Sequence, residues 1–573
     1  MASQQATDCE PTSAANARSY ALDATLALAV GANLYRDADG ILLLPFVAVV
    51  AMHVPLLGLA IFQLISSWKP RDESSVTIPG FCNASLMLAA MGGAIAIAAV
   101  RGDITVGLHA FVLFAVGCRI LSTLTRLIAF CEERITSPIA IMRRLAPIWF
   151  ISAIVIGGML ALPCATNPGV PDYKYDAFGH ISACVQTAMS VASLHGATAL
   201  DIQGDLQPFG QLLLLTLLQF SGVVFAIIAL ALIRPFLARP PTVRRVLSIA
   251  ILLQLVGAAV LFPAWNASDT PTTLSRVWWT LLHSTSALWN GGVTLSPSGL
   301  ATYLNAPAVF LVITALAVVG SLGIPVVIAL LQRAPNEKEI SRTPLRGNLP
   351  TIEALLAFQM LAVTTVGLVW FEQPTGPFAD NRPALPFEFD QQQPALQEMD
   401  GPARWQAAVY TSATARSAGM SGVPVSQGTL SWASVRLMFG NMLIGGGLAG
   451  TGGGLRITFL IFLFVGLIGR RSKATYPTLP SAWRVLITVA LWLAFNALSI
   501  VVMLALVDAA EYAIVFDSIA AANSNGYATG LTPYLPPVAK LVMTAILLVG
   551  RWLPLLLWCG LLRGFFVKER AAG

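Results

Sequence analysis

Four stretches of this sequence could do chemistry with the backbone alone. Each is a short, half-apolar segment ending in a small loop that contains glycine, and a long apolar run follows; the short segments lie at 177–194, 275–289, 402–415 and 509–522. Crossing a bilayer takes about 20 apolar helical residues, so each segment is expected to enter and stop. A helix that ends inside a membrane leaves its last carbonyls unpaired, and such backbone survives only beside a protected, water-filled path. Helices entering from outside point their C-terminal ends inward, and the partial negative charge there favours a cation. Glycine supplies the angles that let the following carbonyls face the same centre. Four copies around one axis would make a ring of oxygens able to replace the hydration shell of a potassium-sized ion.

The side chains offer less. There is no GxxxxGK[ST], HExxH, GxSxG or phosphorylated-aspartate signature, so neither ATP hydrolysis nor a protease site is expected. The five histidines, His53, His109, His180, His195 and His283, lack metal-binding spacing. The seven cysteines, Cys9, Cys82, Cys118, Cys131, Cys164, Cys184 and Cys559, form no CxxC pair, and most sit in apolar segments as small hydrophobes rather than in a disulfide framework. The run Gly445-Gly446-Gly447-Leu448-Ala449-Gly450-Thr451-Gly452-Gly453-Gly454 contains a literal GxGxxG, but no strand precedes it and no βαβ unit surrounds it. So many glycines weaken a helix, and the run is expected to break one. Arg551 lies inside LVMTAILLVGRWLPLLLW, where a charge must face a cavity or a partner. Arg416 sits in the third loop, where a loop carboxylate could pair with it, and Arg119 and Arg126 share a helical face and are expected to pair with protein groups. Asp508 and Glu511 begin the fourth short segment, where a helix N-terminus favours acids.

The elements that must position these groups follow from composition. Of 573 residues 56% are hydrophobic and only 11% charged, against about a quarter charged in a soluble chain; mean hydropathy is +0.73. That excludes a cytosolic enzyme, a disordered chain and a nucleic-acid-binding protein, even with a net charge of +6. The expected fold is an all-α polytopic membrane protein. Long apolar runs occur at 41–66, 81–100, 108–130, 145–165, 211–233, 246–264, 307–331, 351–371, 432–468, 482–507 and 538–562. The polar start, MASQQATDCEPTSAANARSY, has no signal-peptide pattern. The order long, short, glycine loop, long begins four times, near 139, 242, 346 and 481, after about three extra spans. Basic clusters fall between these repeats, at Arg143 and Arg144, at Arg234, Arg239, Arg244 and Arg245, at Arg333, Lys338, Arg342 and Arg346, and at Arg470, Arg471, Lys473 and Arg484, with Lys69 and Arg71 before them and Arg563, Lys568 and Arg570 after. The acidic stretch 372–400 lies on the other side. Cytoplasmic loops carry the excess of Lys and Arg, so the short segments enter from outside, and parity puts residue 1 outside.

The residues of the repeats resemble a known family. The first reads YDAFGHISACVQTAMSVASLHGATALDIQGDLQPFGQLLLLTLLQFSGVVF, the second HSTSALWNGGVTLSP, the third YTSATARSAGMSG followed by LMFGNMLIGGGLAGTGGGLRITF, and the fourth IAAANSNGYATGLTPYLPPVAKLVMTAILLVGRWLP. Over about 139–565 this is similar to the Trk/Ktr/HKT superfamily of potassium transporters. The resemblance implies four membrane-helix, pore-helix, membrane-helix repeats around one pore. Composition and apolar runs give a polar segment at 1–40 and extra N-terminal membrane helices at 41–136, and the resemblance implies repeats at 137–240, 241–345, 346–478 and 479–573, the third with an intramembrane gating loop and the last with the C-terminal tail. Carried over by position, the selectivity-filter glycines are Gly196, Gly292, Gly419 and Gly526, binding potassium through backbone carbonyls, with His195 and Asn525 beside them. The gate takes Gly445, Gly446, Gly447, Gly450, Gly452, Gly453, Gly454 and Arg551. Glycine at all four filter positions implies potassium rather than sodium. The implied activity is gated potassium uptake across the cytoplasmic membrane, with no cofactor, as a homodimer served by a cytosolic nucleotide-binding regulatory subunit. The alternatives are the potassium-translocating subunit of a Kdp-type pump, or a non-conducting scaffold or sensor with a degenerate filter. His195 puts an imidazole near the pore mouth, where protonation below neutral pH would repel cations.

Overall fold

The structure, a computed structural model, describes residues 128–561 apart from 163–164, 168–175, 297–298, 304–305, 333–347, 379–394, 417–418, 421, 424, 426–428 and 470–481. The chain divides into two compact units, Met1–Phe130 and Cys131–Gly573, and all that follows concerns the second. The expected spans at 41–66, 81–100 and 108–130 lie outside the described residues or nearly so, as do Arg119, Arg126, His53, His109, Cys9, Cys82, Cys118, Cys164, the basic residues at 69–71, 333–346, 470–473 and 563–570, and most of the acidic stretch.

The described residues are helical, in the long, short, long order read from the sequence. The first repeat has α1 (Pro138–Leu160), α2 (Ala177–Ala192) and α3 (Pro208–Ile233). The second has α4 (Val243–Leu261), α5 (Thr273–Trp289) and then α6 (Pro307–Leu322) with α7 (Ile324–Leu331). The third has α8 (Leu349–Phe371), α9 (Gly401–Ala415), α10 (Trp432–Leu443) and α11 (Ile457–Gly469); the fourth has α12 (Ala482–Leu506), α13 (Glu511–Asn523) and α14 (Pro537–Leu561). Six of these, with short 3-10 extensions, are long and apolar enough to cross a membrane singly, and α6 with α7 would make a seventh span bent by 90°. The chain is a multi-pass membrane protein.

The short helices start where side chains cap their free amides. Asp176 accepts from Gly179 N on α2, Thr272 and Ser275 form a reciprocal box on α5, and Asp400 accepts from Ala403 N on α9. The α13 start has no side-chain cap but carries Glu511 in its first turn, the place expected for an acid. Each short helix packs on both long helices of its own repeat, and the second long helix of each repeat packs on the short helix of the next: α3 on α5, α6 on α9, α10 on α13, and α14 back on α2. The four repeats therefore close into a ring. The spans are unequally buried: 67% of the most apolar stretch of α3 is buried, but only 28% in α1, α8 and α12, which present residues such as Ile151, Leu355 and Val501 to lipid.

Two runs read as single spans are broken. The run 307–331 turns at Gly323, whose φ is +93°, and 432–468 is interrupted between Leu443 and Ile457. The second break was expected from its glycines. The first was not.

Candidate functional site

Each short helix ends by folding its chain back on itself. His195 N donates to Ser190 O (2.9 Å), Gly291 N to Ser286 O (2.7 Å), Gly419 N to Thr414 O (2.9 Å) and Asn525 N to Ala520 O (3.2 Å). In three of the loops a non-glycine residue adopts the left-handed region, Leu194, Asn290 and Ser524, and a left-handed glycine follows two residues later. These glycines are Gly196, Gly292 and Gly526, joined by Gly419 in the third loop, with φ between +62° and +88°. At Gly196 and Gly526 glycine is required twice over, by angle and by space. A β-carbon on Gly196 would overlap the Gly292 carbonyl carbon, and one on Gly526 would overlap the His195 oxygen. One on Gly419 would overlap the Gly526 backbone. The first loop thus meets the second and the fourth, and the fourth meets the third. The four glycines that sequence put at equivalent positions come together backbone to backbone.

His195 departs from its expected place. Its ring is buried, and Nδ1 accepts the Gly526 N–H at 2.9 Å. Only an imidazole protonated at Nε2 alone can accept there. The ring braces the first loop to the fourth, where a titrating group near the pore mouth was expected. Asn525 is buried, its side-chain amide without a hydrogen-bond partner among the described residues. His283 donates from Nδ1 to the Trp279 carbonyl (2.7 Å) and stands behind the second loop, its Nε2 accepting from Leu295 N at 3.5 Å. Among the described residues no group of His, Cys, Asp or Glu could hold a metal ion, and Cys131, Cys184 and Cys559 are free and buried.

The glycine-rich break lies directly against these loops. Its two ends are pinched by a parallel bridge between Ile444 and Leu455, with Gly445 N donating to Leu455 O (2.8 Å) and Ile457 N to Gly446 O (3.1 Å). Between them the chain seats on the bend of the second repeat: Gly447 N donates to Ser321 O and Thr451 N to Gly320 O, each at 2.9 Å. A β-carbon on Gly450 would overlap Ser321 O, and one on Gly323 would overlap Ala449 O. On the other side Asn290 Nδ2 donates to Thr451 Oγ1 (3.0 Å). A β-carbon on Gly453 would overlap the Asn523 oxygen. Gly445, Gly452 and Gly454 complete the fold of the loop, Gly445 lying against Gly453 and Gly454.

Three buried charges hold the loop. Arg551 donates from Nη2 to Thr451 O (2.7 Å), and its guanidinium carbon sits 4.1 Å from the Phe225 ring centroid. Arg551 thus takes one loop carbonyl, and Arg456 takes two, donating from Nη1 to Gly447 O (3.4 Å) and Gly452 O. Glu353, on α8, accepts from Leu448 N (3.2 Å) and from the Thr458 hydroxyl with the same oxygen. Neither Arg456 nor Glu353 was singled out by sequence. Both stand beside apolar runs, Glu353 early in 351–371 and Arg456 just past the glycines, and a charge inside a span is itself a signal. Arg416 meets a backbone oxygen, Ala357 O at 2.9 Å, where a loop carboxylate was one expectation.

A family model described as TrkH, a cation transport protein, matches residues 241–558, more than half of the chain. Ktr system potassium uptake protein B of Bacillus subtilis is 25% identical over 447 residues, covering 71% of this chain and 90% of the relative. The potassium/sodium uptake protein NtpJ of Enterococcus hirae is 24% identical over 458 residues, covering 72% and 92%. In fold, the chain is similar to the crystal structure of the potassium transporter TrkH from Vibrio parahaemolyticus, with a TM-score of 0.50 and 17% identity over 85% of this chain and 98% of that one.

Proposed function

This chain belongs to the TrkH family of cation transport proteins, and from that premise we propose that it is the pore-forming subunit of a gated potassium uptake system in the cytoplasmic membrane. It is a transporter, not an enzyme. The observation that carries the potassium reading is the convergence of four left-handed glycines on one another at the ends of four short helices. Helix C-termini and glycine-borne carbonyls directed at a common centre suit a partly dehydrated monovalent cation. In this reading Gly196, Gly292, Gly419 and Gly526 form the selectivity filter and 445–454 is the gate, closed on it from the cytoplasmic side. The relatives support the substrate: one is named for potassium uptake and the other for potassium and sodium. The name of the first, a protein of a "system", supports partner subunits; we infer a homodimer and a cytosolic nucleotide-binding regulatory subunit.

The test is rescue of a potassium-uptake-deficient bacterium at low external potassium. The intact chain should restore growth, and Gly419→Leu should abolish it at equal membrane abundance, because a side chain there meets the fourth loop. No rescue by the intact chain together with its regulatory subunit would sink the proposal.

A further inference from the structure

The gating loop touches two of the filter loops two to three residues before their filter glycines. Counting back two residues from each filter glycine gives Asn290 in the second loop and Ser524 in the fourth, both left-handed non-glycines. Asn290 donates its side-chain amide to the Thr451 hydroxyl of the gating loop, with both residues buried. The Ser524 carbonyl, with that of Asn523, borders Gly453 so closely that a β-carbon there would overlap the Asn523 oxygen and come within 2.6 Å of the Ser524 oxygen. The gating loop therefore does not close a separate constriction at a distance from the filter. It rests on the inner ends of two of the four filter loops, through a side-chain bond on one and backbone packing on the other.

The same segment of gating loop is held from the opposite side. Thr451 N and Oγ1 both reach Gly320 O, at 2.9 and 3.3 Å, on the bend of the second repeat. Thr451 O takes the Arg551 guanidinium. Thr451 is thus the point at which the filter, the bend and the buried arginine meet. Moving the loop aside must break the Asn290 bond, and it removes the packing that limits how far the second and fourth filter loops can shift. Asn290 holds a backbone conformation that an L residue adopts at some cost, so its side-chain bond is one of the restraints on that conformation.

We propose that Asn290 and Thr451 couple the gate to the filter, so that the position of the gating loop sets ion discrimination as well as flux. The gate and filter glycines lie in separate stretches of the sequence, and separation alone would leave selectivity untouched by changes to the gate. The contact removes the ground for that independence. The proposal rests on the filter and gate reading above, and it makes Asn290 and Thr451 positioning residues for selectivity.

The experiment uses the full chain in liposomes, with potassium and sodium influx measured separately and expressed per inserted molecule. Asn290→Gly keeps a residue at ease in the left-handed region and removes only the side chain. Thr451→Val removes the hydroxyl and keeps the shape, and Thr451→Ser restores the hydroxyl. Losing one buried hydrogen bond should lower the potassium-to-sodium ratio by about three- to tenfold in Asn290→Gly and in Thr451→Val, raise total influx in both, and leave Thr451→Ser near the parent. The double variant Asn290→Gly/Thr451→Val should match Thr451→Val rather than multiply the two effects, since Thr451→Val already removes the bond from Asn290 along with the hydroxyl's bond to Gly320 O. Should Asn290→Gly fail to insert, the Thr451 pair tests the same bond from its other end. An unchanged ion ratio in Thr451→Val, or effects that multiply in the double variant, overturns the coupling while the transport reading stands. A parent chain that passes no cation at all overturns the transport reading and the coupling with it.

Discussion

The second long helices of the four repeats are of two kinds. In the first and fourth repeats they are continuous, α3 over Pro208–Ile233 and α14 over Pro537–Leu561; in the second and third they break, at Gly323 and between Leu443 and Ile457. The two kinds also brace the centre differently. The continuous repeats join filter loop to filter loop, His195 Nδ1 accepting Gly526 N–H. The broken repeats join filter loop to gating loop, through Asn290 and Thr451, and gating loop to bend, through Ser321 and Gly320. In the proposed reading one half holds the filter loops to each other and the other carries the movable segment, which also packs on the fourth loop at Gly453. A break in one helix frees carbonyls and amides that a membrane interior cannot satisfy, and two neighbouring breaks can satisfy one another, which explains why the broken helices belong to adjacent repeats.

The largest expected effect comes from wedging the two breaks apart. Gly450→Val puts a side chain where Ser321 O stands, whereas Gly440, on α10 just before the break, has nothing within 4 Å of its β-position. Overpacking of this severity costs about 3 kcal/mol or more in the seated state, on the order of a hundredfold at about 1.4 kcal/mol per tenfold. Gly450→Val should therefore hold the gate unseated and raise basal potassium influx strongly, and Gly440→Ala should leave it near the parent. Equal influx in the two variants would mean that the breaks do not seat on one another in the working protein.

Next in size are the buried charges that hold the loop. A hydrogen bond to a charged group contributes about 1.5–3 kcal/mol, and Arg456 makes two to loop carbonyls where Arg551 makes one. Arg456→Met should raise influx more than Arg551→Met, measured per inserted molecule without the regulatory subunit. Glu353→Gln should raise it less than either, since an amide oxygen still accepts from Leu448 N. The reverse order, with Arg551 dominant, would shift the hold on the loop from the broken half of the ring to the continuous α14.

Much of this division was legible in sequence and part was not, for physical reasons. The short helices showed because a half-apolar segment between long apolar runs cannot be a span, and the gating loop showed because seven glycines among Gly445–Gly454 cannot be a stable helix. The bend at Gly323 stayed hidden because Gly320, Gly323 and Pro325 are spread through an apolar run, and glycine and proline are common in membrane helices anyway. Glu353 stayed hidden because its role exists only once α8 packs beside the loop, a contact between residues about a hundred positions apart that no local pattern records, and Arg456 because only the folded loop turns the Gly447 and Gly452 carbonyls toward its guanidinium. His195 was noticed for its chemistry and misplaced for the same reason: its partner, Gly526, is 331 residues away.

The smallest expected effect concerns that histidine, and it tests the rigid half of the ring. A ring near an aqueous mouth would gain charge on acidification and slow cation entry. A ring whose Nδ1 accepts the Gly526 N–H behaves otherwise, because a proton on Nδ1 would set two donors against each other and leave a buried amide unpaired, at about 1–3 kcal/mol. The braced loop therefore favours the neutral ring, and His195 should contribute no change in potassium influx between pH 8 and about pH 5.5. His195→Asn, which keeps a short side-chain acceptor, should retain both influx and ion ratio, and His195→Leu should lose discrimination at every pH alike. The three influx profiles against pH should run parallel, offset only by the cost of the lost bond. A fall in influx on acidification that is present in the parent and absent from His195→Asn would show that the ring titrates, and with it that the bond from His195 to the fourth loop opens during transport.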